Sequence, residues 1–177
     1  MLLNIKKFAF IIFVVPLLLG HAPWGQHQVY RQMHMLIMCS KKDIGAYEFT
    51  KKLESVFKII LPEAKARVAR APHSHRIIDM LKTNQIPLAV LSHELFNELS
   101  NEQSEYKKFI NSNTKIIYSF SEMVLISNDH FNEEKSLKVF KALNSASKKN
   151  NYNELKLIIK NNNQMLFDEG IRQEIGN

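Results

Sequence analysis

The chain has 177 residues, enough for one domain of ordinary size, and 45% of them are hydrophobic, so it can bury a packed core. Five glycines and five prolines exclude a fibrous or linker-like chain, and a single cysteine excludes an internal disulfide. The net charge of +7 is mild, and the basic residues are interleaved with glutamates and form no arginine-rich stripe with stacking aromatics, which argues against a nucleic-acid partner.

The first 22 residues have the plan of an export signal. Lys6 and Lys7 form a positive start, Phe8 to Leu19 is an apolar run, and Gly20-His21-Ala22 offers small residues before a cut ahead of Pro23. The run is shorter than the about 20 residues that a spanning helix needs. The alternative is an uncleaved N-terminal anchor. Without Lys6 and Lys7, 22 basic residues face 17 acidic ones, a net charge of +5. The expected location is the periplasm, with no membrane span in the mature form. The expected division is 1–22 leader, 23–147 α/β domain and 148–177 C-terminal helical extension.

Pro23 to Gln32 is a polar lead-in whose Trp24 and Tyr30 either pack on the domain's own core or anchor a partner. MHMLIMC, closed by Ser40, is short and apolar and predicts a buried strand. Cys39 lies inside it and reads as a small buried hydrophobe, not a nucleophile. From Gly45 to Ile60 the apolar residues Ala46, Phe49, Leu53, Val56, Phe57 and Ile60 recur every three or four positions, which predicts an amphipathic helix stopped by Pro62. AKARVAR, Ala64 to Arg70, is a weaker strand candidate. HRIIDMLK is a helix with Ser74 in the N-cap position.

NQIPLAVLS turns into a third strand, Leu88 to Leu91, and Ser92-His93-Glu94 leads to a helix at Leu95 to Leu99. Ser100 to Thr114 is polar, with a short helix at Tyr106 to Ile110. KIIYSF and MVLIS are two strands, or one long strand with a bulge at Ser121-Glu122. Glu133 to Ala146 and Tyr152 to Phe167 are predicted helices.

Strands alternating with helices predict an α/β fold: an open, mostly parallel sheet of about five strands with helices on both faces. Ligands of such sheets bind beyond the carboxyl ends of the strands. Three strands here end in Ser40-Lys41-Lys42, Pro72-His73-Ser74-His75 and Ser92-His93-Glu94, and each segment enters a helix. Helix N-termini with hydroxyls and cations beside them suit a carboxylate or phosphate. The candidate ligand residues are therefore Ser40, Lys41, His73, Ser74 and Ser92.

His73 and His75, one residue apart, form half a metal site, with His93 and Glu94 or Asp129 and His130 as completing ligands; no recognised metal spacing is present. The plainer reading makes the histidines exposed polar residues framing a cap. No P-loop, nucleophile elbow or dinucleotide-binding glycine fingerprint is present, so neither an enzyme nor a bound cofactor is expected. Glu94, Glu98 and Glu102 have the spacing of a solvated helix face.

The succession of a strand ending in serine, AYEFTKKLESVF, a second strand and HRIIDMLKTNQIPLAVLS resembles the first lobe of type II periplasmic solute-binding proteins, in particular the TAXI-type receptors of TRAP transporters. SFSEMVLISNDHFNEEKSLKVFKAL resembles their strand, acidic turn and helix, so the likeness spans Met33 to Leu143. It implies a single receptor-like lobe that binds a small anionic solute without covalent chemistry, with Ser40, Ser74 and Ser92 as ligand-facing hydroxyls. SKKDIG stands where such receptors carry a glycine-rich turn. A lobe without its partner lobe also suits an accessory protein that docks a periplasmic transport or redox complex.

Overall fold

Leu36–Ser40 is buried at every position, as a strand covered on both faces must be. The computed structural model describes residues 34–149, 152, 155–158 and 166–176; the expected leader and the lead-in with Trp24 and Tyr30 lie outside them. Within the compact unit His34–Asn177 the chain order is β1 (Leu36–Ser40), α1 (Ala46–Ile60), a 3-10 turn (Pro62–Ala64), β2 (Arg67–Ala71), α2 (Ser74–Lys82), β3 (Leu88–Ser92), α3 (His93–Ser100), α4 (Lys107–Asn113), β4 (Thr114–Ser119), β5 (Met123–Asn128), α5 (Glu133–Ser147) and α6 (Glu169–Gly176).

The strands form one five-stranded sheet in the order β2-β1-β3-β5-β4. β1 is parallel to β2 and to β3, β5 is antiparallel to β3, and β4 is antiparallel to β5. Four strands therefore point the same way and β5 alone is reversed, so the sheet is α/β and mostly parallel in direction, as the alternation predicts. KIIYSF and MVLIS are two strands joined by a tight turn, with Phe120 N–H donating to Met123 O at 2.9 Å.

The chain steps outward from β1 to β2 and then back across β1 to β3. Crossovers of one hand then place α1 and α2 on opposite faces. The core is continuous from Ile37, Leu53 and Phe57 through Ile77, Leu88 and Val90 to Tyr118, Leu125 and Phe140. The helices α1, α2 and α5 bury the residues that their periodicity predicts, among them Leu53, Phe57, Ile77, Leu81, Phe140 and Leu143. Cys39 is fully buried, and burial pushes its thiol above the ordinary range, which keeps it inert.

The predicted last helix, Tyr152 to Phe167, is corrected. Lys156, Leu157, Ile158 and Phe167 are not helical; residues 159–165 lie outside the described set. Ile158 N–H donates to Ser119 O at 2.9 Å, and Phe167 bridges Ile116 in parallel register. The outer edge of β4 has unpaired backbone groups, and pairing them at Ile158 and Phe167 outweighs a local helical preference at those residues. The C-terminal helix instead starts at Glu169.

Glu54, on α1, shows how the sheet's other end is held. Its carboxylate is buried and meets Lys51 and Lys58 at 2.9 Å each and Arg67 of β2 at 3.5 Å. Burial alone would push this carboxyl up, but hydrogen bonds from Lys51 and Lys58 outweigh it and hold it below the usual range. Such a group binds fewer protons folded than unfolded. Its contribution is complete above the unfolded glutamate value of about 4.3 and is lost as pH falls through the lower folded value. Glu54→Gln is accordingly expected to weaken the fold at neutral pH. The gap to the natural protein should close below about pH 4, as read from urea unfolding at both pH values.

Candidate functional site

Because β1, β2 and β3 run in parallel, their carboxyl ends share one sheet edge. Between β1 and β3 the connections diverge, β1 to one side and β3 to the other, which makes a crevice of the kind that binds ligands in open α/β sheets. Ser40 and Ser92 flank that crevice. The reversed β5 starts at the same edge, with Met123 opposite Ser92.

Ser40 is buried, and its Oγ accepts from Lys42 N–H at 3.1 Å, so its hydroxyl is turned to its own loop. Lys41 N–H donates to Ala71 O at 2.9 Å, prolonging the β1–β2 ladder, while the Lys41 and Lys42 side chains are exposed. Ser92 Oγ caps α3 by accepting from Leu95 N–H at 3.2 Å. Asp43, absent from the predicted set, reaches across the crevice: its Oδ2 accepts from Ser92 N–H at 2.8 Å. A carboxylate from the chain itself thus sits where an anionic ligand was expected.

Gly45 lets the loop make this reach. At φ 79° it adopts the left-handed conformation that glycine tolerates best, and it lies over Met123, whose Cε is 3.6 Å from where a Cβ would stand. The turn exposes Ile44 almost completely, at 94%. α1 then begins without a side-chain cap.

The second corner differs from expectation at its cap. His73, not Ser74, is the N-cap of α2: its backbone is extended and its Nδ1 accepts from Arg76 N–H at 3.4 Å. Only Pro72 and His73 separate the end of β2 from the helix, so the helix begins one residue earlier and Ser74 becomes its first residue. The histidine pair is exposed, with ring centroids 6.0 Å apart, and His75 lies 5.2 Å from the Tyr106 ring.

His93 does not join them. It is buried, and its Nε2–H donates to Phe120 O at 2.9 Å, while its N–H donates to Glu122 O at 3.0 Å. The carbonyl can only accept, so Nε2 carries a proton. His93 therefore clamps α3 to the β4–β5 turn. Asp129 and His130 follow β5, and because β5 is antiparallel they lie at the opposite end of the sheet. Among the described residues no group of three or more His, Cys, Asp or Glu is placed to hold a metal ion. No described helix is long and apolar enough to cross a membrane.

The edge therefore brings Ser40, Lys41, Asp43, Ser92 and His73 to one side of the sheet. The Ser40 and Ser92 hydroxyls are spent on the chain's own backbone, the Ser92 amide is spent on Asp43, and the exposed groups are Lys41, Lys42, Ile44, His73, His75 and Arg76. Asp43 has a faint sequence signal, an acidic residue two positions before a glycine in a strand-to-helix loop. Its partner on β3 depends on strand order, which no local pattern carries. No protein-family model, curated protein or solved structure matches this chain.

Proposed function

We propose that the chain is a non-catalytic binding module, exported to the periplasm, that presents its strand-end edge to an anionic surface of a partner protein. The observation that carries this reading is the 2.8 Å hydrogen bond from Ser92 N–H to Asp43. It closes the crevice against a small anion, yet leaves the cations around it and the apolar Ile44 exposed to a macromolecule. A charged rim around an apolar anchor is the anatomy of a docking surface. The resemblance to one lobe of a TAXI-type receptor supports a binding role, and the single lobe fits an accessory protein of a transport or redox complex.

The test has two arms. Titrating the natural protein with phosphate, sulfate, succinate and glutamate should give no saturable binding in the micromolar range. Photo-crosslinking from position 44 in cells should capture one partner, and Lys41→Glu with Lys42→Glu should abolish its capture. Saturable binding of one of these small anions, with chemical-shift changes at Ser40 and Ser92, would restore the free-solute reading and sink the docking one.

A further inference from the structure

The two outer strands of the sheet are treated differently. The edge of β4 is covered by the chain's own C-terminal segment, through Ile158 and Phe167. β2, at the other end, pairs with β1 alone among the described residues. In a parallel ladder a strand turns the backbone groups of alternate residues toward one neighbour. Arg67 N–H donates to Met35 O, and Ala71 O accepts from Lys41 N–H, so residues 67, 69 and 71 face β1. Val68 and Arg70 then turn their N–H and C=O groups away from the sheet. Two donors and two acceptors along an outer strand are a template for a further strand.

Charge selects what that strand would be. From Lys65 to Ile78 the chain carries Lys65, Arg67, Arg70 and Arg76 and no acidic residue. All four cations are exposed. Glu54, the carboxylate paired with Arg67, is shared with Lys51 and Lys58 and so leaves the flank strongly positive. Cations on an edge strand commonly repel other strands. Here Arg67 is drawn to Glu54 and Arg70 is held over the Tyr47 ring, 4.3 Å from its centroid, so α1 holds both cations beside the open edge. A second copy of β2 would set arginine against arginine, which is unfavourable between paired strands. An acidic strand meets the opposite charge.

We propose that β2 accepts an extended acidic segment of a partner protein by strand addition, its backbone bonding Val68 and Arg70 and its carboxylates meeting Arg67 and Arg70. This inference is carried by the sheet edge and does not depend on the strand-end corner.

The test uses the full chain and two fluorescent peptides, one of alternating valine and glutamate, the other of alternating valine and lysine. The glutamate peptide should bind saturably and at least about tenfold more tightly than the lysine peptide. Its binding should slow amide exchange at Val68 and Arg70. Val68→Pro removes an outward N–H without breaking the β1 ladder, so the variant should fold and bind the glutamate peptide about tenfold more weakly. If Val68→Pro fails to fold, Arg67→Glu with Arg70→Glu decides, because it should reverse the preference to the lysine peptide. The proposal is overturned by equal binding of both peptides or by no binding of either. Glutamate-peptide binding that leaves exchange at Val68 and Arg70 unchanged, a folded Val68→Pro that binds like the natural protein, or an unreversed preference in the charge-swapped variant would equally overturn it.

Discussion

Lys115→Met is expected to lower the stability of the fold by about 3 kcal/mol, more than the loss of its partner Asp168. Asp168 is buried, and its Oδ2 meets Lys115 Nζ at 3.0 Å while its Oδ1 accepts from Gly170 N–H at 3.3 Å. Removing the lysine leaves a buried carboxylate with one backbone donor, which is the costly case. The lysine side chain is 32% exposed, so in Asp168→Ala its ammonium can turn to water. That variant loses the pair and the backbone bond at the start of α6 and is expected to cost about 1.5 kcal/mol. Lys115→Met combined with Asp168→Leu should recover most of the loss, because apolar groups of similar volume replace a buried pair well. Urea unfolding of the three variants measures this. Equal costs for the two single variants would show that Asp168 is hydrated.

The pair matters because it joins two segments that local patterns describe separately. Lys115 lies on β4, and Asp168 ends the segment that covers its edge. The strands and the helices before residue 148 were legible because each carries its own periodicity. Ala46, Leu53, Val56 and Phe57 define the buried face of α1 without reference to any neighbour, and all four are buried. The helix expected from Tyr152 to Phe167 fails at Ile158 and Phe167 because β4 sets their conformation. Apolar residues at Leu155, Ile158 and Leu166 suit a helix face, but Ile158 and Phe167 answer to an open strand edge that is distant in sequence.

Strand direction had the same limit. Nothing within MVLIS states that it runs against its neighbours; only the short turn from Ser119 to Met123 implies it, since two antiparallel strands can be joined tightly and two parallel ones cannot. That reversal takes Asp129 and His130 to the end of the sheet opposite His73 and His75, while His93 is buried and spent on Phe120 O, so neither completes the histidine pair. The strand-end rule did locate the edge, since Ser40, His73 and Ser92 all lie on it. What the residue types could not convey is that each is satisfied by its own chain. Capping and ligand binding use the same serines and histidines, and only the partner atom distinguishes them.

Asp43→Ala is the variant that separates a closed anion site from no site at all. It removes the carboxylate from Ser92 N–H at the crevice between β1 and β3. A hydrogen bond to an ionised group contributes about 1.5–3 kcal/mol, and Asp43 is half-exposed, so the expected loss is about 1.5 kcal/mol, or some 4 °C in melting temperature for a chain of this size. Asp43→Asn keeps an acceptor and should lose less than half of that. Formate or sulfate should then raise the melting temperature of Asp43→Ala more than that of the natural protein, because an anion that binds only the folded state stabilises it by mass action. Equal effects on both proteins would mean that the anions act on the whole surface and that Asp43 merely braces a loop. Selective rescue would mean that the crevice retains the chemistry its position implies, with its own aspartate as the resident anion. In that case Lys41, Lys42 and Ile44 are held in place for a partner by the same contact that shuts out a free solute.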